Sequence, residues 1–108
     1  MTKKKYSVIL ADRADKMLLL HTAFLARVSS VAARMLIVDF KKAKQSLAEN
    51  PFQFPFADVL DAPGIPPETY RKCLFDKRYK ALFFVENSDV YIDAIIDCRQ
   101  ENKDILDK

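Results

Sequence analysis

The fold turns on Tyr70–Cys98, which reads YRKCLFDKRYKALFFVENSDVYIDAIIDC. Apolar and polar residues alternate here with a period of two, the spacing of strands with one buried face. Three strands are predicted, over Tyr70 to Phe75, Tyr79 to Glu86 and Val90 to Cys98. Asp76-Lys77 and Asn87-Ser88-Asp89 supply the turns, so the segment reads as an antiparallel meander. In the last strand Val90, Ile92, Ala94, Ile96 and Cys98 are predicted to face one way, toward the helices. Tyr91, Asp93, Ile95, Asp97 and Arg99 are predicted to face the other way.

Upstream of the meander, Pro51 to Glu68 holds all five prolines and the only glycine, Gly64, and reads as a long loop. Phe52, Phe54 and Phe56 alternate within it, which suits an extended segment pinned to a core. Asn50-Pro51 ends a helix predicted from Val31 to Ala48, because a residue before proline avoids the helical region. Its stripe is Ala32, Met35, Leu36, Phe40, Ala43 and Leu47. Ser29 and Ser30 offer hydroxyl caps for that helix. A first helix starts at Asp12, with Asp15 also in its first turn, and carries Ala14, Met17, Leu18, His21, Phe24, Leu25 and Val28 at helical spacing. Tyr6 to Leu10 is short and apolar and reads as a first strand. The predicted fold is α+β, in the order βααβββ, with a helical hairpin packed on one face of a mainly antiparallel sheet. At 108 residues a single domain spanning 1–108 is expected.

Composition removes several chemistries. One Gly stands where an average chain of this length has about eight. Gly64 alone cannot build a dinucleotide or phosphate loop, since both need several tight backbone bends. One His and two distant Cys cannot form a His/Cys-rich zinc cage, so no metal and no cofactor are expected. Cys73 and Cys98 read as reduced thiols of a cytoplasmic protein. The apolar start breaks at Asp12, too early for a signal peptide, and no run approaches a membrane span.

The net charge of +3 is modest, but Arg71, Lys72, Lys77, Arg78 and Lys80 cluster around one turn. Two readings stand for this cluster. Arg71 and Arg99 could clamp phosphate oxygens from one sheet face, or the charges could form a solvated edge that deters sheet pairing. Asp93 and Asp97 share a predicted face but lie about 13 Å apart at the usual rise, too far for a close carboxylate dyad. Asp97 could pair with Arg99 or orient it. His21, on the apolar stripe between Met17 and Leu25, reads as a packing residue, as do Tyr70, Tyr79 and Tyr91. Lys3-Lys4-Lys5 reads as a solvated end.

The arrangement of a short strand, a helical pair ending at Leu47-Ala48-Glu49-Asn50-Pro51, then Tyr70-Arg71-Lys72-Cys73-Leu74, Arg78-Tyr79-Lys80, Val90-Tyr91-Ile92-Asp93-Ala94 and Asp97-Cys98-Arg99 resembles the RelE/ParE toxin superfamily. These are toxins of bacterial type II toxin–antitoxin modules, also described as plasmid stabilisation proteins. The resemblance implies two branches. RelE-like members cleave messenger RNA on the ribosome without metal, through attack of a 2′-hydroxyl on the adjacent phosphate. ParE-like members bind DNA gyrase and need no catalytic set. Both are silenced by a cognate antitoxin and form oligomers with it. In the nuclease branch the resemblance makes Arg71 and Arg99 the phosphate-holding residues, with Lys72 and Arg78 adding electrostatic stabilisation. Lys72, Lys77, Arg78, Lys80 and Asp97 are binding candidates in their own right, from the charge pattern around the turn and the last strand. The chain departs from that branch in two places. Nuclease members often carry Tyr or His near the C-terminus, where this chain has Asp104 to Lys108, and Pro51 to Tyr70 contains no Lys or Arg. The expectation is a ParE-like toxin, with a ribosome-dependent endoribonuclease and a non-toxic adaptor as alternatives. An amphipathic antitoxin segment is expected on the helical hairpin or along the exposed sheet.

Overall fold

The computed structural model describes residues 5–98. The predicted Arg99, the polar stretch from Gln100 to Lys108, and Lys3 and Lys4 lie outside the described residues. The order is β1 (Ser7–Leu10), α1 (Asp12–Val28), α2 (Ser30–Glu49), a 3-10 turn (Pro51–Gln53), β2 (Arg71–Phe75), β3 (Tyr79–Glu86) and β4 (Asp89–Asp97). The strands form one sheet in the order β1-β4-β3-β2. The β2–β3–β4 meander is antiparallel, and β1 lies parallel to β4 at one edge. This is the predicted βααβββ order. A parallel pair needs a long connection, and here α1, α2, the loop and the β2–β3 hairpin all lie between β1 and β4.

Local signals account for the element ends. A single extended residue, Ser29, separates the helices, and its hydroxyl accepts a hydrogen bond from the Ala32 N–H at 3.1 Å. Ser29→Ala should therefore lower stability by about 1 kcal/mol, read as a fall in thermal midpoint. Asn50 ends α2 and accepts from the Phe52 N–H, starting the 3-10 turn at Pro51. Asp76 and Lys77 take φ values of 51° and 62°, the left-handed region that lets β2 reverse into β3. Asn87 does the same between β3 and β4 with φ 58°.

The core lies between the hairpin and one face of the sheet. Leu36, Leu47, Phe83, Ile92 and Ile95 are fully buried there. Two features differ from the sequence expectation. First, the helices bury a narrower stripe than their apolar spacing suggests. Ala14, Leu18 and Leu25 are buried on α1, but Phe24 and Val28 are exposed, and on α2 Met35 is exposed while Ala33 is buried. Second, β4 does not keep one alternation. Leu82 is opposite Ala94 while Phe83 is opposite Ile92, so Asp93 is an extra residue in a β-bulge. The bulge exchanges faces beyond it. Val90 and Ile92 face the helices as predicted, but Ile95 and Asp97 follow them. Ala94 and Ile96 turn to the opposite, outer face, where Ala94 packs with Ala57 and Leu82. No helix among the described residues is long and apolar enough to cross a membrane.

Candidate functional site

The predicted basic cluster is divided between the two sheet faces. Arg71, Cys73 and Phe75 pair with Phe83, Ala81 and Tyr79 on the helix side, whereas Lys72 and Lys80 lie on the outer side. Arg71 does not stand free on an open face. Its guanidinium donates to the Phe54 carbonyl at 2.7 Å and lies over the rings of Phe52 and Phe56. The alternating phenylalanines of the loop thus hold this arginine, and Phe54 packs edge-on against Phe83. Phe56 bridges Arg71, and the Lys72 N–H donates to the Pro55 carbonyl, so the loop lines part of the β2 edge.

From there the loop crosses the outer face as a strap. Asp58 closes a turn by accepting from the Leu60 and Asp61 N–H groups. Asp61 is thereby aimed at the sheet. One carboxylate oxygen meets Lys72 Nζ at 2.8 Å and the other meets Lys80 Nζ at 2.8 Å. Lys80 is 2% exposed. Burial alone would raise the Asp61 carboxyl, but hydrogen bonds from Lys72, Lys80 and the backbone and the Lys80 charge outweigh it. They hold the group well below the usual carboxylate range.

Arg78 donates to Asp97 at 2.9 Å and lies over the Tyr79 ring. Asp97 is buried beside it because of the bulge; its predicted relation to Arg99 lies outside the described residues. Lys77 is exposed at the turn. Of the predicted set, Lys72 and Lys80 meet at Asp61 and Arg78 meets Asp97, while Arg71 is held apart from both groups by Phe54. Asp61 is not recognisable as a site residue in the sequence. It sits in a proline-rich loop where Asp reads as a turn former, and only the tertiary path of the strap reveals its partners.

His21 Nε2 lies 3.0 Å from the Ile95 carbonyl, and its ring packs on Tyr79. Cys73 and Cys98 form no disulfide, and burial pushes the Cys73 thiol up to about 11. On the outer face the Tyr70 hydroxyl donates to Asp93, which raises its pKa, with burial adding to the effect. Tyr70 packs on Phe84, and Phe84 stacks on Tyr91.

Two surface features lie elsewhere. Lys5, Lys41, Lys42 and Lys44 wall a groove of ≈ 840 Å³ between α2 and the β1 edge. The outer side of the hairpin carries an apolar stripe. Leu20, Phe24 and Val28 repeat at helical spacing on α1 and Val31, Met35 and Val38 on α2, all exposed. Both lines start at the corner around Ser29. Lys16 continues the first line one turn beyond Leu20, and Lys42 continues the second one turn beyond Val38.

The fold has a solved counterpart. A chain of a structure described as the chromosomal ParDE TA system from P. aeruginosa superposes with a TM-score of 0.64 at 16% identity, covering 86% of this chain and 96% of that one. At that identity the likeness is one of fold. The chain has the fold of a component of a toxin–antitoxin system. No family model matches the sequence, and no curated protein matches it.

Proposed function

We propose that the chain is the toxin of a bacterial type II toxin–antitoxin pair, on the ParE-like side. It acts by binding a protein target such as DNA gyrase and is silenced by a cognate antitoxin. The observation that carries this reading is the exposed apolar stripe on the hairpin, in a chain that shares the fold of a ParDE component. A surface of this kind on a small protein marks a protein–protein contact. Lysines at the far end of both lines fit an acidic amphipathic helix, laid with its apolar face between them.

The state of the cationic side chains supports binding over cleavage. A metal-free nuclease needs cations aimed at the developing charge on phosphate. Here Arg71 is held by Phe54 and two rings, Lys72 and Lys80 meet Asp61, and Arg78 meets Asp97. The test is induced expression in a bacterial host with mapping of messenger RNA ends. The expected result is growth arrest without new codon-positioned ends, relieved by co-expression of a small acidic protein from a neighbouring reading frame. Codon-positioned ends that disappear in Arg71→Ala would instead establish the ribosome-dependent nuclease. Normal growth under verified expression would support the adaptor.

A further inference from the structure

The strap covers only part of the outer sheet face. Ala57, Ala62 and Tyr70, with Met17 of α1, pack around Leu82 and Ala94. Beside this cluster Ile9 is in register with Tyr91, and Tyr91 with Phe84, forming one row across three strands. The Phe84 and Tyr91 rings stack with centroids 5.1 Å apart and planes at 19°, and Tyr70 closes the row 6.2 Å from Phe84. Ile9 is 39% exposed, and the three rings are half-buried.

Carboxylates flank this row on both sides. Glu86 is directly opposite Asp89 across β3 and β4, a like-charge pair that destabilises a sheet. Asp93, at the bulge, lies on the other side and accepts from Tyr70. Among the described residues none of these three makes an ion pair, whereas Asp61 and Asp97 both do. Arg13, exposed at the start of α1, is the positive charge felt at Tyr70, and it too makes no ion pair among the described residues.

We propose that this uncovered sheet face docks a basic peptide segment of a protein partner, with arginine or lysine side chains laid on the Phe84–Tyr91 stack between Asp89 and Asp93. Phe84 lies between Tyr91 and Tyr70, so the row offers an apolar platform for the methylene stems of arginine or lysine. The flanking carboxylates attract the charged heads and repel nucleic acid and acidic helices. An incoming cation also relieves the Glu86–Asp89 repulsion. The face is opposite in sign to the lysine-ended hairpin stripe, so it selects a different segment from the one proposed there, and it does not depend on that reading.

The test is a titration of the 15N-labelled chain with acetyl-Arg-Thr-Arg-Thr-Arg-amide, followed by amide shifts. Saturable shifts confined to Ile9, Phe84 and the residues from Asp89 to Asp93 are expected. The double variant Glu86→Gln/Asp89→Asn should melt at the same or a higher temperature, which shows that it folds, and bind the peptide at least about fivefold more weakly. The proposal is overturned by an equal response to the matching Glu-Thr peptide, or by shifts spread equally over Asp12 and Asp15. Absence of saturable shifts at millimolar peptide, or unchanged affinity in the double variant, overturns it as well.

Discussion

Asp61→Asn is expected to lower the stability of the protein by about 3 kcal/mol, the scale for removing one member of a buried ion pair. The carboxylate bridges Lys72 and the nearly inaccessible Lys80, so a neutral amide leaves two ammonium groups without their shared counter-charge. Denaturant unfolding of the two proteins checks the size. The pH dependence follows from the direction of the Asp61 shift. Its folded pKa lies below the ordinary carboxylate value of 3.8. The stabilisation is therefore fully present above the unfolded pKa and is lost as pH falls through that value toward the folded one. Wild type should lose stability steeply in acid below about pH 4, and Asp61→Asn should show a shallower decline. The same substitution should loosen the strap first, raising amide exchange at Ala57 and Asp61 before the core.

On the proposed toxin reading, Phe24→Asp with Met35→Asp is expected to weaken antitoxin binding strongly while leaving the fold intact. Both side chains are at least half exposed and lie in the two lines of the hairpin stripe. Away from the core such changes shift stability by about 0.5 kcal/mol or less. An apolar anchor at the centre of an interface contributes about 2 kcal/mol or more, so losing two should weaken binding by about a thousandfold. Calorimetry with the product of a small acidic reading frame found beside this one reads the affinity, and a thermal melt controls for folding. An unchanged affinity would move the antitoxin off the hairpin and onto the sheet.

Much of this architecture is legible in the residues. The change from helical to alternating spacing after Glu68 marks the helix-to-meander boundary. Ser29 and Asn50-Pro51 mark the helix ends where the hydroxyl cap and the proline act. The Asp93 bulge is not legible, because Ala94-Ile95-Ile96 is apolar on every position and fits either alternation. Its consequence is large, since it carries Ile95 and Asp97 to the helix side and lets Asp97 meet Arg78. The hairpin stripe is also hidden in the sequence. Phe24, Leu25 and Val28 look equally suited to a core, and only Leu25 is covered by the sheet beneath. The cationic cluster is visible as composition, but its partners are set by a strap whose path depends on long-range contacts. For that reason Arg71 is recognisable as a candidate while its capture by Phe52, Phe54 and Phe56 is not.

The central claim is that the chain arrests growth by binding a protein target rather than by cutting RNA. DNA supercoiling by purified bacterial gyrase, titrated with the purified chain, tests it most directly. The account predicts dose-dependent inhibition that Arg71→Ala does not remove and that the partner protein reverses. Unimpaired supercoiling, together with codon-positioned cleavage of messenger RNA in a translating extract, would contradict it.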